Sequence, residues 1–121
     1  MRDFQNLRVW HKANRLAVDV HVTMKSTATR QHAGLRGQIL RAATSIPANI
    51  AEGCGKLTNA ELARYAEIAL GSATELENHL IFARNVGVIE PERYSVLEGQ
   101  LSEVRRMLYA FVRAVRAKVS E

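Results

Sequence analysis

The stretch from Gln38 to Gly53, QILRAATSIPANIAEG, constrains this chain more than any other. Placed on a helix at 100° per residue, Leu35, Ile39, Ala42, Ala43, Ile46 and Ile50 form one apolar face. Beside it runs a polar stripe, Gln38, Arg41, Ser45, Asn49 and Glu52, with short side chains in its middle. The third face holds Gly37, Leu40, Thr44, Ala48 and Ala51, which are small or apolar. A surface helix turns a charged face to water, and this one has almost none. It must be covered on several sides. A small bundle has too few helices to surround one of its own, so the missing cover is expected from other copies of the chain.

Pro47 stands in the middle of this helix. It lacks the N–H that would bond the carbonyl of Ala43 and crowds the preceding turn, so a kink or break is expected near it. Two roles then stay open for Ser45 and Asn49. One is local repair of a kinked helix; the other is a polar network across to Ser72 and Glu75 on a later helix, with Arg41 pairing Glu75. Both roles are structural, and a partly buried ion pair of that kind sets register more than it adds stability.

Three further helices follow from periodicity. Residues 4–24 carry Val9, Ala13, Leu16, Val20 and Met24 as an inward stripe, widened by Trp10 and Ala17. Residues 25–34 are polar and read as a loop, with His32 solvated in it. The central helix then spans about 35–52, stopped by Gly53 and Gly55. Thr58-Asn59-Ala60-Glu61 matches a capping box and opens a helix over 59–86. Along it Leu62, Ala66, Ala69, Ala73, Leu76, Leu80 and Ala83 alternate by four and three, a coiled-coil period whose alanines permit close approach. Leu70, Ile81 and Phe82 lie off that stripe, a second apolar surface that again points to an oligomer. Gly87 ends this helix and Pro91 suits the first turn of the next, over 91–118. There Leu97, Leu101, Val104, Leu108, Phe111 and Val115 repeat the same alternation. Short connections fit sequential antiparallel helices. The expectation is an all-α, up-down antiparallel four-helix bundle, one domain over 1–121, with its second helix kinked near Pro47.

The formal charge of +5 and pI near 9.9 permit attraction to nucleic acid or an acidic partner. On the fourth helix Arg105, Tyr109, Arg113 and Arg116 share an outer face with Arg106 beside them, and no acid occurs between Glu103 and Glu121. The helix dipole favours cations near a C-terminus, which accounts for part of this cluster. Arginines interleaved with a tyrosine also have the makings of a surface that contacts phosphates and stacks a base. On the first helix Arg8, Lys12 and Arg15 form a second basic edge, read either as a solvated face or as phosphate contacts.

Chemistry of other kinds finds little support. A di-metal carboxylate bundle needs Glu-x-x-His on two helices, whereas Glu75 and His79 are four apart and no second pair exists. No P-loop, Gly-x-Gly-x-x-Gly, His-Glu-x-x-His or paired-cysteine motif occurs. Gly71-Ser72 lies inside a helix and fits close packing rather than a nucleophile elbow. Catalysis, a metal and a cofactor are therefore not expected. The lone Cys54 forms no internal disulfide and fits a reducing cytoplasm. No signal peptide and no apolar run of membrane-spanning length is seen.

Leu35-Arg36-Gly37-Gln38, then RAATSIPANIAEG, then ALGSATELE on the following helix, and the opening FQNLRVWHKA together resemble the four-helix bundle family encoded in intervening sequences of bacterial 23S rRNA genes. The resemblance covers nearly the whole chain. That family is similar in fold to the accessory variability proteins of diversity-generating retroelements, pentameric barrels that assist a reverse transcriptase. The resemblance thus implies an up-down bundle, a homopentamer and no established enzymatic activity. One departure is the segment KSTATRQHAG before Leu35, where family members often carry a proline and an acidic residue. Taken together these readings give a non-enzymatic oligomeric scaffold or accessory protein. It would bind RNA, DNA or a nucleic-acid-processing protein through its basic faces, the alternative being a protein-interaction module that binds no nucleic acid.

Overall fold

The computed structural model describes residues 2–26 and 32–119. Among them every regular element is helical: a 3₁₀ turn at Phe4–Asn6, then α1 (Arg8–Ser26), α2 (Ala33–Cys54), α3 (Asn59–Asn85) and α4 (Pro91–Ala117). Of the loop expected over 25–34, residues 25, 26, 33 and 34 belong to the neighbouring helices, and residues 27–31 lie outside the described residues.

The first helix starts at Arg8 and not at residue 4 as expected. Asp3 accepts a hydrogen bond from the N–H of Gln5 at 3.0 Å, and Leu7 is extended at φ −93, ψ 122. The short turn between them is thereby set off from α1. Its Phe4 ring lies 4.9 Å from Trp10, and the N–H of Arg2 donates to the carbonyl of Cys54 at 2.9 Å. The start of the chain is thus tied to the end of α2.

One expectation for α2 is narrowed and one corrected. Of the kink or break expected near Pro47, a break does not occur: Pro47 is buried and the helix continues through it. Gly53 is not the stop: it is a buried helical residue, and the helix ends on Gly55, whose N–H meets the carbonyl of Glu52 at 3.0 Å. What Gly53 supplies is proximity. A Cβ there would lie 2.9 Å from the Cβ of Tyr65, so α2 and α3 approach more closely than any larger residue allows.

Thr58 caps α3 by accepting the N–H of Glu61 at 3.2 Å. The reciprocal bond of a full capping box, from Thr58 N–H to the Glu61 carboxylate, is not made among the described residues. At the other end Gly87 takes φ +81, a left-handed conformation that glycine adopts without strain, and Val88 N–H turns back to the carbonyl of Ala83 at 2.8 Å. That reversal buries Val88 and Ile89 beneath the bundle.

The core follows the periodic stripes. Val9, Ala13, Leu16, Val20 and Met24 of α1 meet Ile39, Ala42, Ala43, Ile46 and Ile50 of α2. Ala66, Ala69, Ala73, Leu76, Leu80 and Ala83 of α3 join Leu97, Leu101, Val104 and Leu108 of α4 in the same cluster. A smaller cluster at one end gathers Cys54, Leu62, Ala63 and Val115, with Phe111 half-buried against it. Each helix packs on two others: α1 on α2 and α4, α3 on α2 and α4. No helix of the described residues is long and apolar enough to cross a membrane.

Candidate functional site

The outward stripe of α4 is the most distinctive chemical surface. Ser102, Arg106, Tyr109 and Arg113 step by four, three and four, which stacks them along one side of a helix. Arg106 Nη1 donates to Ser102 Oγ at 3.1 Å, which orients its guanidinium along the helix. Tyr109 is 62% exposed, far more than a ring kept for packing. Together with Glu77, Glu98, Arg105 and Ala110 these residues line a surface pocket of 440 Å³ between α3 and α4.

Long-range contacts divide the candidate cations into two groups. Arg105 is held by Glu77 of α3 at 2.8 Å, and Arg116 by Glu67 of α3 at 2.5 Å. Lys12 reaches Glu103 of α4 at 3.2 Å, and Arg15 lies 3.4 Å from Asp19 on its own helix. Arg8, Arg106 and Arg113 have no carboxylate within ion-pair distance among the described residues. The helix dipole reaches only the last turn, and of the α4 arginines only Arg116 lies there. Carboxylates on α3 therefore balance the α4 arginines more than the helix dipole does. Because Lys12 and Arg15 face the α1–α4 seam while Arg105 and Arg116 face the α3–α4 seam, both basic sets flank the same helix.

The polar stripe on α2 contracts to a smaller network than its spacing implies. Ser45 Oγ meets Ser72 Oγ of α3 at 2.5 Å. The Asn49 amide donates to Ser45 Oγ at 3.1 Å and to the Ser45 carbonyl at 2.8 Å. The inter-helix role of Ser45 is thus realised, while the carbonyl of Ala43 next to Pro47 gains nothing from it. Arg41 and Glu75 line one pocket with Gln38, Ala42 and Ser45 but do not pair; Glu75 instead lies 3.7 Å from His79. Gln38 and Glu52 are exposed and take no side-chain hydrogen bond among the described residues. They stand outside the network.

The third face of α2 is as open as its composition implies. Thr44, Ala48 and Ala51, with Pro47, form one wall of a groove of 530 Å³ whose other wall is Ala17, Val18 and Val22 of α1. Val18 and Val22 are 48% and 57% exposed, so the groove is an uncovered apolar surface. On α3, Phe82 is exposed, while Leu70 and Ile81 are half-buried.

Sequence periodicity missed a polar cluster on the α1–α4 seam. Arg93 Nε donates to Thr23 Oγ1 at 2.7 Å, and the Gln100 amide donates to Asp19 Oδ2 at 2.7 Å. It also missed Glu67 and Glu77 as counter-charges. The available signal was their separation on α3, ten residues, against eleven for Arg105 and Arg116 on α4. Burial pushes the Cys54 thiol above its ordinary value of 9.0, against a smaller lowering by Arg2. Among the described residues no group of three or more His, Cys, Asp or Glu is placed to hold a metal ion.

These elements define an all-helical protein of four helices with a basic, tyrosine-bearing strip along the last. The model of the 23S rRNA-intervening sequence protein family matches residues 5–110, and the chain belongs to that family. Its structure is similar to that of a protein of unknown function from the S23 ribosomal protein family of Bacteroides thetaiotaomicron VPI-5482, at 28% identity and a TM-score of 0.80, covering 86% of this chain and 97% of that one. No curated protein matches the chain.

Proposed function

We propose that this protein is a non-enzymatic homo-oligomeric scaffold or accessory protein that binds nucleic acid through the strip along α4. The observation that carries the reading is the pair of arginines, Arg106 and Arg113, that stand beside the open Tyr109 ring and make no ion pair among the described residues. An overall charge of +5 adds long-range attraction. The subunit is an up-down antiparallel bundle: α3 and α4 pair Glu67 with Arg116 and Glu77 with Arg105, and α1 and α4 pair Lys12 with Glu103 and Thr23 with Arg93. Both sequences of contacts run in opposite chain directions. Self-association uses the apolar α1–α2 groove, and the resemblance of the sequence to its family supports a pentamer. Display of the α4 strip on several subunits makes individually weak phosphate contacts effective.

Purification without nuclease, followed by the 260/280 nm absorbance ratio and light scattering, tests this reading. The expected result is a raised ratio and a mass well above 13.5 kDa. Replacing both Arg106 and Arg113 by glutamate should lower the ratio and leave the mass unchanged. A nucleic-acid-free protein that binds neither RNA nor DNA at low salt would overturn it and favour docking of an acidic protein on the same strip.

A further inference from the structure

We infer that the α3–α4 pocket takes an unpaired nucleotide of a single strand, with its base stacked on Tyr109 and its flanking phosphates on Arg106 and Arg113; this rests on the nucleic-acid reading above. Three observations favour a single strand over a duplex. The first is concavity: a pocket of 440 Å³ receives a splayed-out base, whereas the paired bases of a duplex present only their edges. The second is the order of groups along α4. Arg106 and Arg113 are separated by seven residues, about 10 Å along a helix, with the Tyr109 ring between them. Cation, aromatic face, cation matches the phosphate, base, phosphate order of one strand.

The third observation is the charge on the pocket wall. Arg105 and Glu77 offset each other through their 2.8 Å contact, so they shape the wall without attracting phosphate. Glu98 also lines the pocket and has no donor among the described residues. Glu98 stands eleven residues before Tyr109, about 16 Å along the helix, so its carboxylate repels a further phosphate at the far end of the pocket and leaves the Arg106–Arg113 end to one nucleotide. The Arg106–Arg113 end of the pocket therefore suits one base between two phosphates. Tyr109, on this reading, is an exposed ring because its partner is a base.

Fluorescence anisotropy tests the inference with a labelled strand of about a dozen nucleotides, the same strand annealed to its complement, and a mononucleotide. The single strand should bind more tightly than the duplex. Tyr109→Ala should weaken the single strand about 5- to 150-fold, the range expected for one lost stacking contact, while Tyr109→Phe retains binding and the duplex is little affected by either. Unchanged circular dichroism of both variants keeps folding out of the comparison. Equal binding of strand and duplex, with no selective loss in Tyr109→Ala, would overturn this inference and leave the broader nucleic-acid reading standing. A mononucleotide binding as tightly as the strand would overturn it too. Loss of all three would instead remove the broader reading.

Discussion

Replacing Gly53 by alanine should destabilise the protein even though alanine is the better helix former. The added Cβ would lie 2.9 Å from Tyr65 Cβ and 3.2 Å from the carbonyl oxygen of Leu62. Carbon pairs rest at about 3.5–4.0 Å, and neither neighbour is the movable tip of a flexible chain. To make room, α2 and α3 must part where they are closest. Overpacking of this kind costs about 1–3 kcal/mol, against a helix-propensity gain of about 1 kcal/mol. The net loss is about 1 kcal/mol, or roughly 4 °C in Tm for a domain of this size. Gly71→Ala supplies the control, since an added Cβ there meets nothing within 4 Å. It should gain the propensity term alone, so the two variants should differ by about 2 kcal/mol. Urea unfolding followed by far-UV circular dichroism reads both, at one protein concentration because self-association shifts apparent stability. Gly53→Ala matching or exceeding Gly71→Ala would refute the close-approach reasoning.

Other consequences are equally direct. Glu77→Gln should release Arg105 and strengthen nucleic-acid binding severalfold in an anisotropy titration, while stability falls by less than about 1 kcal/mol because the pair is partly exposed. Ser45→Ala should cost about 1 kcal/mol in a denaturant melt, and adding Ser72→Ala should recover part of it, since the double variant leaves no orphaned hydroxyl. Thr23→Val should cost about 1–3 kcal/mol by the same measurement, because Thr23 is only 4% exposed and accepts from Arg93. Cys54 favours its neutral form in the folded chain, so its contribution to stability is present below pH 9.0 and is lost as the pH rises beyond that value. Melts of Cys54→Ser and the parent across this range should therefore converge at alkaline pH.

How much was legible in the sequence differs between core and site. Residues such as Leu16, Ile46, Leu76 and Leu101 were assigned to the interior from periodicity, and all are buried. Periodicity gives the angle of a residue about its own helix. It does not say what stands opposite. Hence Arg105 and Arg116 read as a free basic face although Glu77 and Glu67 hold them, and Arg41 was joined to Glu75 although Glu75 lies beside His79. Gly53 illustrates the same limit. A glycine before Cys54 and Gly55 reads as a stop, and only the position of Tyr65 on the next helix reveals a contact. At Pro47 a break does not follow from the local preference, and the helix persists through it with the residue buried. The open α2 face was legible for the opposite reason: Thr44, Ala48 and Ala51 leave a mark in composition that needs no partner to be read.

The most direct test of the central claim is the salt dependence of nucleic-acid binding by the purified oligomer. The logarithm of the binding constant, plotted against the logarithm of salt concentration, falls by about 0.7 per phosphate contacted on a single strand and about 0.9 on a duplex. A linear fall is predicted, flattened by about 0.7 on a single strand or about 0.9 on a duplex for each of Arg106 and Arg113 that is reversed to glutamate. Absence of binding at low salt, or a slope unmoved by both reversals, would contradict the assignment of the α4 strip as the nucleic-acid surface.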